Sequence, residues 1–268
     1  MPTPPIYALV ATDLDGTLLR RDDTVSPRSR AALARAAAAG ARHIVVTGRP
    51  VPGIRDLLAR LEYRGPVVCG QGTQLYDAGA GQIIRAATLD RELADTALGK
   101  IEAQVGPVFA AVDQDGTDGR TLIEPGYLMP HPALPAVRVD HRNELWAAPI
   151  IKALIRHPDL TDDALADAAR AVVGDLATVI LSGPDTVELQ PYGVDKGTGL
   201  ALAAETLGVD PAATIAFGDM PNDLPMFRRS GHGVAMANAH PDLKAAADEV
   251  TLTNEADGVA VVLERLFD

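Results

Sequence analysis

The sequence predicts an α/β protein with a parallel-sheet core that is interrupted by an inserted α+β unit. In the first eighty residues, and again in the last third, short apolar runs typical of buried strands alternate with helical segments. Strands and helices that alternate through short connections indicate right-handed crossovers and a parallel sheet with helices on both faces. Between these regions strands follow one another directly, which favours a mostly antiparallel sheet.

The N-terminal elements follow from local signals. An apolar run stops at Asp13, and Ser26-Pro27 supplies an N-cap followed by a proline at the first helical position. Gly40 is placed to end that helix. The predicted order is strand Ile6–Thr12, helix from Pro27 to Gly40, strand His43–Val46, helix Val51–Leu61 and strand Pro66–Cys69.

The C-terminal third repeats this alternation. Its predicted elements are helix Lys196–Leu207, strand Thr214–Phe217, a short helix to Arg229, strand Gly233–Met236, a helix from Pro241, strand Glu249–Leu252 and a last helix to Leu266.

In the middle of the chain the order of elements is different: predicted strands follow one another directly, and helices separate the groups of strands. The predicted strands are Gln82–Ala87, Val108–Val112, Arg120–Glu124, Ile150–Arg156, Ala177–Leu181 and Thr186–Gln190, with helices Arg91–Val105 and Asp162–Val173. Pro125–Asn143 shows no clear period and is predicted to be irregular.

Composition excludes several classes of protein. Of 268 residues, 47% are hydrophobic and 22% charged, which is typical of a folded chain of one large or two small domains. The net charge of −12 disfavours a nucleic acid or an anionic membrane as partner. The single cysteine, Cys69, excludes a disulfide framework and a multi-cysteine metal site. Met1–Val10 lacks the basic region of a signal peptide, and no apolar stretch approaches about 20 residues, so we expect a cytoplasmic protein.

The strongest chemical signal is Asp13-Leu14-Asp15-Gly16-Thr17, directly after the first strand. Gly16 permits a turn there, so both carboxylates can converge above the carboxyl edge of the sheet, where open α/β folds bind ligands. Carboxylates that share a cavity repel each other unless a cation or a shared proton relieves them. A capping turn, which is ordinary chemistry for Asp-x-Asp-Gly, is the alternative.

Two further signals suit an anionic ligand. Thr47-Gly48-Arg49 follows the second strand and offers a hydroxyl and backbone N–H groups, although a plain N-cap would look the same. Lys196 opens a helix, where a positive charge is unfavourable for the helix dipole, so it is predicted to face a negative group. A solvated surface lysine is the alternative.

A second acidic group follows the strand Thr214–Phe217 and comprises Asp219 and Asp223, with Asn222 between them. Oxygen ligands without a Cys/His cluster favour Mg²⁺ over zinc. An N-cap with favourable dipole charge is the alternative.

The combination of these motifs, in this order along the chain, resembles the haloacid dehalogenase-like (HAD) phosphatases. The segments Gly231–Ala239 and Asp257-Gly258-Val259-Ala260 match as well. The middle region resembles the αβ cap of the Cof-type subfamily, class IIB. This resemblance implies a Rossmann-like core at 1–84 and 188–268 and a cap at 85–187. Hinges near Arg85 and Asp185–Glu188 are predicted from their position between these two parts alone.

The resemblance also implies a Mg²⁺-dependent phosphatase that forms an aspartyl-phosphate. Asp13 would be the nucleophile and Asp15 the general acid and base. Thr47, with Gly48 and Arg49, would bind the phosphoryl group. Lys196 would bind the same group, and Asn222 would orient this network.

The implied metal ligands are Asp13, the backbone carbonyl of Asp15 and Asp219, with Asp223 binding the metal directly or through water. The implied substrate is a small phosphorylated metabolite such as a sugar phosphate, nucleotide or cofactor phosphate. The oligomeric state is expected to be monomer or homodimer. A phosphomutase with the same aspartyl-phosphate, or a non-catalytic phospho-ligand-binding protein, remains an alternative.

Two departures from the family pattern stand out. Gly70-Gln71-Gly72 replaces the usual Asn-Gly-Ala, and Met220-Pro221 lies inside the last acidic motif. Two other features are assigned to structure instead of function. Asp113–Gly119 imitates a calcium loop but has glycines at the wrong positions, so a hairpin turn is expected. Asp77–Gly81 is predicted to be a hairpin tip.

Overall fold

The computed structural model describes residues 7–128, 136–183 and 186–267. Within these ranges the strands are β1 (Leu9–Thr12), β2 (Arg42–Val46), β3 (Pro66–Cys69), β4 (Gln74–Asp77), β5 (Gln82–Ala86), β6 (Phe109–Gln114), β7 (Thr121–Ile123), β8 (Ala136–Arg138), β9 (Ile150–Arg156), β10 (Thr178–Gly183), β11 (Thr186–Gln190), β12 (Thr214–Gly218), β13 (His232–Ala235) and β14 (Glu249–Val250). The α-helices are α1 (Pro27–Ala38), α2 (Val51–Arg60), α3 (Arg91–Val105), α4 (Asp162–Val173), α5 (Lys196–Leu207), α6 (Leu224–Arg229), α7 (Pro241–Ala246) and α8 (Gly258–Phe267).

The larger sheet has the strand order β14-β13-β12-β1-β2-β3-β4-β5. The strands from β14 to β3 are parallel, and β4 and β5 form an antiparallel hairpin at one edge. β1 lies between β12 and β2, with Leu9 opposite both Thr214 and Arg42. This register brings the carboxyl ends of the three strands to the same edge of the sheet.

The smaller sheet has the order β10-β11-β9-β6-β7-β8 and is antiparallel except for the pairing of β7 with β8. Helices α3 and α4 bury their apolar sides with β6 and β9 in a hydrophobic cluster that is separate from the cluster of the larger sheet. The predicted class, a parallel-sheet α/β core with an inserted α+β unit, is confirmed.

Two expectations for the middle of the chain are wrong. Pro125–Asn143 was expected to be irregular but contains β8, a short exposed strand that pairs with β7; residues 129–135 of this stretch lie outside the described residues. The strand at Gln82–Ala87 was grouped with the insert, whereas β5 belongs to the larger sheet because it pairs with β4. The hairpin tip between these strands is confirmed, since Asp77 Oδ1 accepts hydrogen bonds from the N–H groups of Gly79 and Ala80 at 2.8 and 2.9 Å.

The division into a core (1–84 and 188–268) and a cap (85–187) stays a prediction. Its boundaries fall inside β5 and β11, each of which belongs to one sheet throughout. The predicted hinge residue Arg85 is paired with Leu75 in the larger sheet. Asp185, from the other predicted hinge, lies outside the described residues.

Both sheets meet at the carboxyl edge of the larger one. From β9, Lys152 Nζ donates to the carbonyl of Gly48 at 3.1 Å. From β11, Gln190 Nε2 donates to the carbonyl of Gly70 at 3.2 Å. The smaller sheet therefore covers the loops that follow β2 and β3. In the described ranges, no helix has both the length and the apolarity needed to cross a bilayer.

Candidate active site

The predicted site residues gather where β1, β2 and β12 end. Asp13 follows β1, and its N–H donates to the carbonyl of Phe217 at 3.0 Å. Thr47 follows β2 and is tied by its N–H to the carbonyl of Val68 at 2.8 Å. Asp219 follows β12. Because these strands are parallel and adjacent, their C-terminal residues share one edge.

Lys196 joins the two acidic motifs. Its Nζ donates to Asp13 Oδ1 at 2.7 Å and to Asp223 Oδ1 at 2.6 Å, and its side chain is only 2% exposed. Burial alone would lower the pKa of Lys196, but the adjacent Asp13 and Asp223 carboxylates raise it above its ordinary value. Lys196 therefore faces two carboxylates and is not the solvated surface lysine that was the alternative.

Asp223 is fully buried and fixes the turn after β12. Its Oδ2 accepts hydrogen bonds from the N–H groups of Asp219 and Met220, both at 3.0 Å. Pro221 begins a short 3-10 turn, and at this first position the N–H that proline lacks would have no hydrogen-bond partner within the turn. Met220-Pro221 is therefore compatible with the acidic motif.

Asp219 lies close to the turn after β1. Thr17 Oγ1 donates to Asp219 Oδ1 at 3.4 Å. Gly16 has a φ of +75°, and a Cβ at that position would lie 2.2 Å from Asp219 Oδ2, so only glycine fits. Burial, with Asp223 nearby, raises the pKa of Asp219 to about 7.

Three carboxylates form a cluster that fits a divalent cation. Asp13, Asp219 and Asp223 are buried, and each offers an oxygen within 4.8 Å of the others. Burial raises the pKa of Asp13 well above its ordinary value, and Asp223 and Asp219 add to this although Lys196 opposes it. Lys196 neutralises only part of the negative charge, and an oxygen-only donor set suits Mg²⁺.

Asp15 and Arg49 form a pair beside this cluster. Arg49 Nε donates to Asp15 Oδ2 at 2.9 Å, and its Nη2 donates to Asp15 Oδ1. The Asp15 side chain is 54% exposed. It thus lies outside the carboxylate cluster, and its metal contact through the backbone carbonyl stays a prediction.

The loop after β2 faces the same space. Thr47 is buried, and its Oγ1 accepts a hydrogen bond from the N–H of Arg49 at 3.1 Å. Asn222, on the turn after β12, donates from Nδ2 to Gln71 Oε1 at 3.1 Å. The structure therefore brings the predicted phosphate-binding residues to one place, while their roles stay predictions.

Two residues at this edge have contacts that the sequence did not predict, although Asn238 lies in the matching segment Gly231–Ala239. Asn238 donates from Nδ2 to the carbonyl of Gly16 at 2.8 Å and so supports the first acidic turn. Lys152 is buried between Glu188, at 2.7 Å, and Asp113, at 3.7 Å. A lone lysine within the apolar strand β9 was the signal that could have identified it.

The calcium-like loop after Asp113 does not assemble. Asp113 accepts a hydrogen bond from Thr121 Oγ1 at 2.5 Å, whereas Glu124 accepts from Arg142 Nε at 2.7 Å. β6 and β7 pair as an antiparallel hairpin, so the predicted turn is confirmed.

Comparisons with known proteins agree with this geometry. A family model of haloacid dehalogenase-like hydrolases matches residues 10–263. A Streptococcus pyogenes protein, named as a phosphatase without a stated substrate, is 32% identical over 267 residues, which are 96% of this chain and 97% of that protein. The pyridoxal phosphate phosphatase of Escherichia coli is 31% identical over 278 residues, which are 94% of this chain and 96% of that protein. A haloacid dehalogenase-like hydrolase from Bacillus subtilis superposes with a TM-score of 0.82 at 25% identity and covers 97% of this chain and 99% of its own.

A parallel sheet with acidic residues at its carboxyl edge and a second, inserted sheet above it defines a HAD-like fold of the Cof type. The chain belongs to the haloacid dehalogenase-like hydrolase family. Within that family it is an enzyme of the phosphomonoester hydrolase class.

Proposed function

We propose that the protein is a Mg²⁺-dependent phosphatase that transfers the phosphoryl group of a small metabolite to Asp13 and then to water. The observation that carries this proposal is the contact of Lys196 with Asp13 inside the carboxylate cluster. Lys196 holds Asp13 Oδ1, while Oδ2 makes no hydrogen bond within the described residues and is left for attack on phosphorus.

Charge neutralisation is the main demand of this chemistry, because an anionic nucleophile must approach an anionic phosphate. Asp13, Asp219 and Asp223 would hold the Mg²⁺, which when bound supplies positive charge to the phosphoryl oxygens. Lys196 and Thr47 are placed at the same edge and would bind the remaining phosphoryl oxygens. The loop N–H groups of Gly48 and Arg49 would add donors there.

Asp15 would protonate the leaving oxygen and then activate the water that releases phosphate. In this structure both of its oxygens accept hydrogen bonds from Arg49. We propose that Arg49 turns to the phosphoryl group when substrate binds, which frees Asp15 for proton transfer. The exposure of Asp15 leaves it accessible to a leaving group and to water.

The smaller sheet supports a small, cap-enclosed substrate. Its residues Lys152 and Gln190 contact the loops that follow β2 and β3, so a macromolecular substrate would have to displace them. The relative from E. coli acts on pyridoxal phosphate, according to its name, and a cofactor phosphate is one of the substrate types that we propose here. The net charge of −12 and the single buried thiol, Cys69, are compatible with a cytoplasmic enzyme of metabolites.

The direct test is a panel of sugar phosphates, nucleotides and cofactor phosphates, with Mg²⁺ or with EDTA, in which released phosphate is measured. The wild type should release phosphate from some of them only with Mg²⁺. Asp13→Asn should be folded and release none, because an amide cannot form the acyl-phosphate. Turnover by Asp13→Asn near the wild-type rate would refute the nucleophile. Equal turnover in EDTA would refute the metal requirement.

A further inference from the structure

The backbone of the loop Gly70–Gly72, which departs from the family pattern, touches two parts of the site. The N–H of Gly70 donates to the carbonyl of Arg49 at 2.9 Å, and the N–H of Gln71 donates to the carbonyl of Thr47 at 3.0 Å. On its other side, a Cβ at Gly72 would lie 2.1 Å from the carbonyl oxygen of Asp195, next to Lys196. This loop therefore packs between the loop after β2 and the start of α5.

Gln71 has a backbone conformation that glycine adopts more easily. Its φ is +60° and its ψ is 25°, which is the left-handed region. A side chain in that region has an unfavourable conformational free energy that glycine lacks. Strained residues that persist are commonly found at functional sites. The contacts of the Gln71 side chain are consistent with such a role.

That side chain is buried between the loop after β2 and the turn after β12. Its Oε1 accepts the hydrogen bond from Asn222 Nδ2 at 3.1 Å, across 151 positions of the sequence. Its Nε2 lies against Gly48, where a Cβ would be only 2.5 Å away. Asn222 Oδ1 is buried and unpartnered within the described residues, so Gln71 provides the hydrogen bond that fixes this amide.

We propose that Gln71 is a positioning residue that sets the distance between the phosphate-binding loop at Thr47–Arg49 and the carboxylate turn at Asp219–Asp223. This inference rests on the proposed function, because it assigns the two segments to the phosphoryl group and to the metal. Gln71 itself touches neither. It acts through Asn222 and Gly48, which it holds by one hydrogen bond and by close packing.

A purely structural role would give different mutant behaviour. If Gln71 only filled space, Gln71→Gly would lower the Tm and leave the kinetics of the folded enzyme unchanged. In a positioning role, Gln71→Gly removes the strain and the bridge together. Whatever the change in Tm, the kcat of the folded enzyme should then fall roughly tenfold while KM changes little, since misalignment is felt mainly in the transition state.

The experiment measures Tm, kcat and KM for wild type, Gln71→Gly and Gln71→Asn, with p-nitrophenyl phosphate and Mg²⁺. Asparagine tolerates the left-handed region but is one methylene too short to reach Asn222, so the folded Gln71→Asn enzyme should also lose kcat. The matched control is Glu62→Gly, because Glu62 is exposed, has a φ of +56° and lies between the end of α2 and the start of β3, away from the carboxyl edge of the sheet. It should gain stability without a change in kcat.

Each outcome decides the question. Wild-type kcat in both Gln71 variants would overturn the positioning role and leave the proposed function intact. A wild type that releases no phosphate from any substrate would overturn the proposed function and this inference with it. If Gln71→Gly did not fold at the assay temperature, Gln71→Asn would decide: a reduced kcat of the folded enzyme supports the inference, and full kcat overturns it.

Discussion

Replacement of Lys196 by methionine separates electrostatic from structural effects at the site. Lys196 contacts Asp13 and Asp223 at 2.7 and 2.6 Å in an environment that is almost fully buried. Removing one partner of a buried ion pair costs about 3–5 kcal/mol, because the remaining charge stays desolvated. For a chain of this size, Lys196→Met should lower the Tm in EDTA by roughly 6–20 °C.

The chain provides a matched control in Lys152, which is also buried and lies between two carboxylates, Glu188 at 2.7 Å and Asp113 at 3.7 Å. Lys152→Met should be destabilised in EDTA to a similar extent. The two variants should differ in their response to Mg²⁺, since only Lys196 lies among the proposed metal ligands.

The assay is thermal unfolding of wild type and both variants in EDTA and in millimolar MgCl₂. Loss of the ammonium leaves the cluster more negative, so Mg²⁺ should bind more tightly to Lys196→Met. A tenfold gain in affinity corresponds to about 1.4 kcal/mol, or roughly 3–6 °C of additional Tm shift. An equal Mg²⁺-induced shift in both variants would refute the metal assignment.

Three other predictions concern protons. Asp15→Asn should slow turnover most for substrates with poor leaving groups, as measured over a series of aryl phosphates, and a flat dependence on leaving-group pKa would contradict its role as acid. Because the pKa of Asp219 is about 7 without metal, Mg²⁺ binding should release protons near pH 7, and the affinity for Mg²⁺ should weaken as the pH falls below 7. Calorimetry in buffers of different ionisation enthalpy measures both effects. An affinity that does not depend on pH would contradict this prediction. Burial lowers the pKa of His43 to about 4, so between pH 6.5 and 4 the unfolded chain carries a proton on this histidine that the folded chain lacks. The free energy of unfolding should therefore decrease by up to about 3 kcal/mol as the pH falls through that window. The free energy of unfolding of His43→Gln, measured with urea, should decrease less on acidification than that of the wild type. A difference between the two proteins that stays the same across the pH range would refute this.

The core of the fold was predictable because its signals are local. β3, α5 and the start of α1 coincide with the expected elements, since apolar runs, caps and prolines determine them within a few residues. β8 lacked such a signal, because a three-residue exposed edge strand has no periodic pattern. β5 had a signal, but its partner β4 did not, so its sheet could not be predicted.

The candidate site shows the same limit. Asp13, Thr47 and Asp219 could be predicted to converge because each follows a parallel strand. The contacts of Gln71 and Lys152 could not, because they join side chains to partners 151 and 104 positions away whose positions the strand order does not determine. The sequence marked Gln71 only as a departure from the family pattern. Its backbone conformation and side-chain contacts are known from the structure alone.

The central claim is that one carboxylate oxygen of Asp13 attacks phosphorus beside a bound dication. A crystal structure with Mg²⁺ and the phosphoryl mimic BeF₃⁻ tests it most directly. We predict beryllium bonded to Asp13, fluorides contacted by Lys196 and Thr47, and Mg²⁺ held with Asp219. Beryllium bonded to Asp15, or a Mg²⁺ ion located away from the three buried carboxylates, would contradict the claim.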